Sequence, residues 1–254
     1  MNQYIHLIEE ISLNAWPAWK TELYDGWIIR FSKHYTHRTN CVNIIVPSTI
    51  SISEKLDYCE REYSNAGTPT VFKISPTITP DIDEILKLRG YHIERKTDVL
   101  SMPLTKFNPW LNSPSSDYQV TLSNTITDSW IHNLFQLNET TNSDHLKIVP
   151  SMFKAIPRET IVAKIEFNGK MIASGLGILE RDHVGLYAIY VDANHRNQNL
   201  GKLVCSEIIQ QALKKGYAHA YLQVVTDNEI AKHLYQGLGF EYLYSYWFRS
   251  KTGQ

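Results

Sequence analysis

The sequence predicts an α/β chain built from two related halves, and three observations predict it. An apolar, aromatic-rich run from Val184 to Val191 has strand composition, and after a polar turn a helical pattern opens at Leu200. A constant spacing of 149 residues (216 − 67 and 239 − 90) carries Gly67 onto Gly216 and Gly90-Tyr91 onto Gly239-Phe240, so both halves read helix, glycine, short strand, short helix, glycine-aromatic, long strand. Between them, Thr105 to Ser116 is rich in proline, serine and asparagine, the composition of a linker. The expected division is residues 1–104, a linker over 105–117, and residues 118–254. At 254 residues, the chain is long enough for each part to bury its own core.

In the first half, Trp16, Trp19, Tyr24 and Trp27 read as core or interface aromatics. Arg30, Arg38, Asn40 and Asn43 alternate on apparent strands, so they form either a solvated strand face or the lining of a shared groove. Val42 to Val46 and Val71 to Ile74 read as strands, and Gly90-Tyr91 introduces a longer one. At the repeat spacing, Thr79 and Leu86 stand where the second half has Asn228 and Tyr235. The connection after Val46 is about four residues shorter than its counterpart.

In the second half, Thr127 to Leu137 reads as a helix, followed by a polar segment holding Glu139, Asp144 and His145. The turn from Arg196 to Gly201 lies between a strand and a helix N-terminus, where successive backbone N–H groups and the helix dipole favour an anion. Arg196 and Lys202 add positive charge. That helix carries apolar residues at Leu203, Val204, Ile208 and Ala212, and stops with Lys214, Lys215 and Gly216 as a left-handed cap. Tyr221 to Val225 is a short strand; Asn228 then opens a helix with Ala231, Leu234 and Tyr235 at helical spacing, ended by Gly239-Phe240. In the last strand, alternation places Tyr242, Tyr244, Tyr246 and Phe248 on one face and Leu243, Ser245 and Trp247 on the other. Only this one strand follows the turn, so a strand from the first half is expected to complete the sheet and to put a groove between the halves.

The segment Val191-Asp-Ala-Asn-His-Arg196-Asn-Gln-Asn199-Leu-Gly201-Lys202, followed by Asn228-Glu-Ile-Ala231-Lys-His-Leu234-Tyr235, resembles the acyl-CoA-binding motifs of the GNAT superfamily of N-acetyltransferases. The first half, through Asn14 to Ala18, Tyr24 to Arg30 and Arg38 to Asn43, resembles bacterial tandem GNAT proteins and lacks the loop and the tyrosine. The resemblance implies two tandem GNAT-like domains, each a central mixed β-sheet flanked by helices, with the N-terminal one degenerate. It implies acetyl-CoA as co-substrate, held by Ile189, Tyr190, Val191, Arg196, Asn197, Gln198, Asn199, Leu200, Gly201, Lys202, Asn228, Ala231 and Tyr235. It implies transfer to a primary amine of a small molecule, a peptide or a protein lysine, with Tyr235 as the general acid that protonates the departing thiolate. Asn199 departs from the family pattern, which has glycine there; asparagine is the non-glycine residue that best tolerates a left-handed backbone. No single general base stands out among Glu139, Asp144, His145, His183 and Tyr187. The alternative reading, motivated by Asn199 and the degenerate half, is a non-catalytic acyl-CoA-binding sensor or interaction module.

Charge is nearly balanced, 25 basic against 26 acidic residues, which disfavours nucleic acid as the main partner. Cys41, Cys59 and Cys205 are scattered and odd in number, as suits a reducing cytoplasm. No membrane-spanning run and no signal-like N-terminus is read. The histidines, His183 and His219 among them, show no ligand spacing, so no catalytic metal is expected. A monomer or homodimer fits these expectations.

Overall fold

The computed structural model describes residues 2–46, 49–109 and 117–251; the expected linker residues 110–116 lie outside them. In chain order the elements are α1 (Asn2–Ala15), β1 (Lys20–Tyr24), β2 (Trp27–Phe31), β3 (Val42–Ile44), α2 (Ile52–Asn65), β4 (Thr70–Ile74), α3 (Pro80–Leu88) and β5 (His92–Pro103). Then follow β6 (Tyr118–Ser123), α4 (Asp128–Leu137), α5 (Ser143–Lys154), β7 (Glu159–Phe167), β8 (Lys170–Glu180), β9 (His183–Val191), α6 (Leu200–Lys214), β10 (His219–Val225), α7 (Glu229–Gln236) and β11 (Glu241–Lys251). At the repeat spacing α2, β4, α3 and β5 fall on α6, β10, α7 and β11. The glycines at 67, 90, 216 and 239 all have positive φ, as turns that end helices require.

The strands form one eleven-stranded mixed sheet in the order β1-β2-β3-β4-β11-β5-β10-β9-β8-β7-β6. Two pairs are parallel, β3 with β4 and β9 with β10, and the rest are antiparallel. The last strands of the two halves are exchanged. β11 pairs with β4, β5 pairs with β10, and β5 and β11 pair with each other. A strand from the first half does complete the second half's sheet, and each half's final ladder hydrogen bonds are made across the division.

Three cores cover the sheet. On one face, α1, α4 and α5 bury Ile8, Ile11, Leu134, Phe135, Val149 and Phe153 against Leu176, Tyr187, Tyr221, Tyr244 and Tyr246. On the other, α6 lays Leu203, Val204, Ile208 and Ala212 over Ile161, Ala173, Val184 and Leu222. Gly175 and Gly177 of β8 allow this approach, because a Cβ at either would collide with Val204 or Ile208. The third core packs α2 and α3, through Leu56, Tyr63 and Leu86, on Trp27, Val42 and Phe72. The expected alternation of β11 holds for Tyr244, Tyr246 and Phe248 but not for Tyr242. An irregularity between Tyr242 and Tyr244 shifts the register, and Tyr242 is 63% exposed. Cys41, Cys59 and Cys205 are free and buried. No helix among the described residues is long and apolar enough to cross a membrane.

Pairing registers also correct the length of the first half's strand-to-helix connection. Val42 lies opposite Phe72, whereas Gly185 lies opposite Tyr221, so the spacing between the halves is 143 on the strand and 149 on the helix. The path from the paired position to the helix is thus shorter by six residues in the first half, chiefly because β3 ends at Ile44, soon after Val42, whereas β9 runs on from Gly185 to Val191. The shorter connection is filled from within. Asp25, in the β1–β2 turn, accepts the Ile50 N–H at 2.8 Å and the Thr49 N–H at 2.9 Å through Oδ2, and the Thr49 hydroxyl at 3.0 Å through Oδ1. The buried Lys55 ammonium lies 3.4 Å from Oδ2.

These partners, the Ile50 N–H foremost, lower the Asp25 carboxyl from 3.8 to about 2. Since the folded value lies below the ordinary one, the stabilisation is full above that ordinary value and disappears as pH falls through about 2. Asp25→Asn should therefore lower the melting temperature at pH 7, with the gap to the wild type closing toward pH 2. Thermal unfolding across that range is the check, and a gap independent of pH would contradict the assignment.

Candidate active site at the fork between β9 and β10

The two parallel strands separate part-way along their length. β9 and β10 pair from His183↔His219 to Leu186↔Leu222; beyond that β10 stays paired with β5 as far as Val225↔Thr97, while β9 continues alone on that side to Val191. An irregularity in β9 drives the divergence. Ser174 pairs with Tyr190 and Leu176 with Tyr187, so Ala188 and Ile189 both face the single residue Gly175. Ala188 sits at φ +48°, and the fully buried Ser174 hydroxyl donates to its carbonyl at 3.0 Å. Ile189 and Val191 are half-buried beside the opening and Tyr190 is 42% exposed.

After Val191 the chain turns through an exposed loop into α6. Asp192 accepts the Asn194 N–H at 2.9 Å and faces His195 Nδ1 at 3.2 Å; that histidine is the first of the contacts that lower its pKa. Arg196 is exposed and its Nε donates to Val191 O at 3.4 Å. Asn197 and Asn199 both adopt the left-handed conformation, at φ +61° and +59°, on either side of Gln198, an arrangement that turns neighbouring N–H groups to one side. Gln198 accepts a hydrogen bond from the Tyr118 hydroxyl. Asn199 thus takes the backbone geometry expected of the glycine it replaces, and its side chain makes no cap bond. By contrast, the side chains of Ser51, Thr127, Asn142 and Asn228 cap α2, α4, α5 and α7.

α7 closes the other side. Gly201 is buried, and a Cβ there would lie 3.1 Å from Leu234 Cδ1 and 3.6 Å from Val191 Cγ2, so the missing side chain lets α7 approach α6. Lys202 Nζ lies at the last turn of α7, 3.4 Å from where a Cβ of Gly237 would stand. Asn228 Oδ1 accepts the Ala231 N–H at 3.1 Å, which leaves its amide Nδ2 as the group able to donate outward. The Tyr235 ring packs among Ala231, Leu234, Leu238 and Phe240. Its ring is buried, and its hydroxyl makes no hydrogen bond among the described residues. Burial of the ring raises its pKa, keeping the hydroxyl protonated.

The opposite mouth of the fork is built by both halves. Gln223, one residue past the last β9–β10 pair, accepts from Arg38 Nη1 at 3.2 Å and from the Tyr246 hydroxyl at 2.7 Å. The buried Arg30 donates to the carbonyls of Arg38 and Trp16, and Trp16 stacks on Tyr187 with ring centres 5.6 Å apart. Neither arginine has a carboxylate partner among the described residues. Asn40 and Asn43 are buried and hydrogen-bonded internally, so they do not line this mouth. Of the candidate bases, Tyr187 is buried and bonded to Tyr221 at 2.9 Å, and His183 lies at the far end of β9. His145 lies at 3.0 Å from Lys33 O and against the Tyr35 ring, and Tyr35 in turn interacts with Tyr190. Glu139 borders a separate open hollow with His132 and Gln136. The roles of Ser174, Ala188, Asp25 and the Arg38–Gln223 contact are not read from the sequence. The small-residue run Ala173-Ser-Gly175 is the one signal that marks the irregularity in β9.

The family profile described as "Probable histone acetyltransferase Rv0428c C-terminal" matches residues 3–248. The chain is 24% identical over 250 residues to the Bacillus subtilis (strain 168) protein named "Uncharacterized N-acetyltransferase YobR", a match spanning 97% of this chain and 98% of that one. It is 36% identical over 73 residues to the ribosomal protein bS18-alanine N-acetyltransferase of Escherichia coli (strain K12), a match covering 29% of this chain and 49% of that protein. Among solved structures, a GCN5-related N-acetyltransferase from Kribbella flavida superposes with a TM-score of 0.70 at 14% identity, over 100% of this chain and 96% of that one. A tandem GNAT protein from the clavulanic acid biosynthesis pathway gives 0.68 at 13% identity, over 84% and 74%. At such identities the two structures speak for the fold, which is that of GNAT proteins, and the profile match over nearly the whole chain speaks for the family. A forked parallel strand pair, a helix without a side-chain cap at its mouth and this match together make the chain a member of the Rv0428c C-terminal acetyltransferase family, within the GNAT superfamily.

Proposed function

We propose that the protein transfers the acetyl group of acetyl-CoA to a primary amine by direct attack within the fork between β9 and β10. The observation that carries this reading is the pair of left-handed asparagines, Asn197 and Asn199, the second making no side-chain cap bond, that leads into the 15-residue helix α6 at the open end of the β9 edge. The loop 196–202 offers backbone N–H groups and Arg196 to a pyrophosphate. Pantetheine would lie along Ile189, Tyr190 and Val191 as an added strand, with a β9 N–H polarising the thioester carbonyl. The neutral amine attacks that carbon; the N–C bond forms, the C–S bond breaks, and the Tyr235 hydroxyl gives its proton to the leaving sulfur. The amine's surplus proton leaves to solvent, which returns one to Tyr235, and positioning supplies most of the acceleration.

The acceptor would enter from the mouth bordered by the partly exposed Tyr35, Arg38 and Gln223. Arg38, partly exposed and without a carboxylate partner among the described residues, favours an amine that also carries an anionic group. The match to an enzyme named for acetylating an alanine of a ribosomal protein supports an amine acceptor. Incubation of the full chain with acetyl-CoA and a panel of amines, read as free thiol released, tests the reaction. CoA binding without thiol release across the panel would favour the sensor reading instead.

Three variants sharpen this. Tyr235→Phe should lower kcat by about a hundredfold while leaving the Kd for CoA nearly unchanged, because ring packing is kept and only the proton donor is lost; full activity would remove Tyr235 from the mechanism. Asn199→Gly should bind CoA at least as tightly, glycine adopting φ near +59° without conformational cost; a large loss by calorimetry would show that the amide itself contacts the ligand. Arg38→Ala should raise the acceptor KM by about tenfold without changing the Kd for CoA, and a loss confined to CoA binding would contradict its placement in the acceptor mouth.

A further inference from the structure

At the closed end of the fork, opposite the site just described, three ligating side chains converge. Asp182 stands in the β8–β9 turn, His183 opens β9, and His219 opens β10 directly across the parallel pair. The backbone fixes this meeting, since the N–H groups of Ala218 and His219 both donate to Asp182 O at 3.0 Å. Asp182 Oδ1 lies 2.6 Å from His183 Nδ1 and Oδ2 lies 3.1 Å from His219 Nδ1, and one donor atom from each residue falls within 4.8 Å of the others. The imidazole rings are nearly parallel, 19° apart, with centres separated by 4.8 Å.

A second observation points to a ligand. His183 is 2% exposed, and its Nδ1, though 2.6 Å from Asp182 Oδ1, is left as a buried ring nitrogen without a satisfied hydrogen bond. Its other nitrogen, Nε2, is within 3.3 Å of the Tyr4 hydroxyl, a contact that orients the ring as outer-shell partners of metal-bound histidines do. A buried nitrogen of this kind, facing a carboxylate and a second imidazole, is arranged to share a cation.

We propose that Asp182, His183 and His219 bind one divalent transition-metal ion of the zinc class. Two imidazole nitrogens and a carboxylate oxygen suit zinc at about 2.0–2.2 Å in a tetrahedron whose fourth position is water. Imidazole donors disfavour magnesium and calcium. Asp182 is exposed and His219 half-buried, so ions reach the site from solvent and both side chains can open the small distance the tetrahedron needs. Any imidazole proton on a ligating nitrogen leaves to solvent as the metal binds. The site lies the length of β9 away from Val191, so its role is to fasten the β8–β9 turn to the start of β10, holding the closed end of the fork, and not to take part in acyl transfer. Its placement is hidden from sequence spacing because the strand pairing, not the chain, brings His219 to His183.

The test uses the full chain, free of any histidine tag and of metal, titrated calorimetrically with zinc chloride. One zinc per chain is expected, with a zinc-dependent rise in melting temperature and no comparable rise with magnesium. Asp182→Asn and His219→Ala, both on side chains that reach the surface, should weaken binding at least tenfold and abolish the rise, while retaining the wild-type circular dichroism and CoA affinity. Absence of stoichiometric zinc binding by the wild type, or unchanged affinity in both variants, would overturn the proposal; neither outcome bears on the acyl-transfer reading.

Discussion

The pairing of β5 with β11 at the centre of the sheet is the constraint on which the rest of the structure depends. In each half the second parallel strand, β4 or β10, would leave one edge of backbone groups unpaired. That edge is covered by the other half's last strand. The fork in the second half is consequently walled by a strand of the first, since β10 beyond Leu222 is held in place by β5. Gly239 shows how closely the parts are fitted. At φ +105°, it passes its backbone so near the carbonyl of Lys106 that a Cβ would stand 2.5 Å from it. Replacement there would strain both the left-handed turn and the contact between residues 104–109 and the end of α7. The proposed division of the chain at residues 105–117 thus describes the repeat and not two units that complete their sheets separately.

The repeat presents one device in two states. Both halves bring a parallel strand to a helix N-terminus. In the first, the path from the paired strand position to the helix is six residues shorter, and the Asp25 carboxylate accepts the N–H groups of Thr49 and Ile50, which fall at the repeat spacing on Gln198 and Asn199. A carboxylate of the chain itself stands where the second half has a left-handed asparagine whose side chain makes no cap bond. Under the proposed reading the physics is the same in both, an anion at a helix start, with the anion internal in one half and a ligand's in the other. This difference supports confining acetyl-CoA to the second half.

Much of this was legible where local rules apply. The start of α6 at Leu200, the left-handed tolerance of Asn199, the glycine at 216 and the register of the repeat follow from periodicity, capping and backbone sterics, which depend on neighbouring residues. What was not legible depends on contacts distant in sequence. The irregularity at Ala188 is held by Ser174 from the adjacent strand, Arg38 meets Gln223 only because the sheet brings the halves together, and Asp25 reaches α2 from a turn more than twenty residues away. Alternation misplaced Tyr242 because a shift in pairing with β5 resets the period, and a single strand's pattern does not reveal its partner's register. The Gly201 position was legible as a glycine but not in its reason, which is the approach of Leu234 across two helices.

The most direct measurement of the central claim, that the second fork and not the first holds acetyl-CoA, is amide hydrogen exchange of the full chain with and without the co-substrate. Ordered ligand at the start of α6 slows exchange of the N–H groups it engages. The account predicts added protection across residues 188–202 and 228–236, with residues 49–55 at the start of α2 unchanged. Protection appearing at 49–55, or absent from 196–202 at saturating acetyl-CoA, would contradict it.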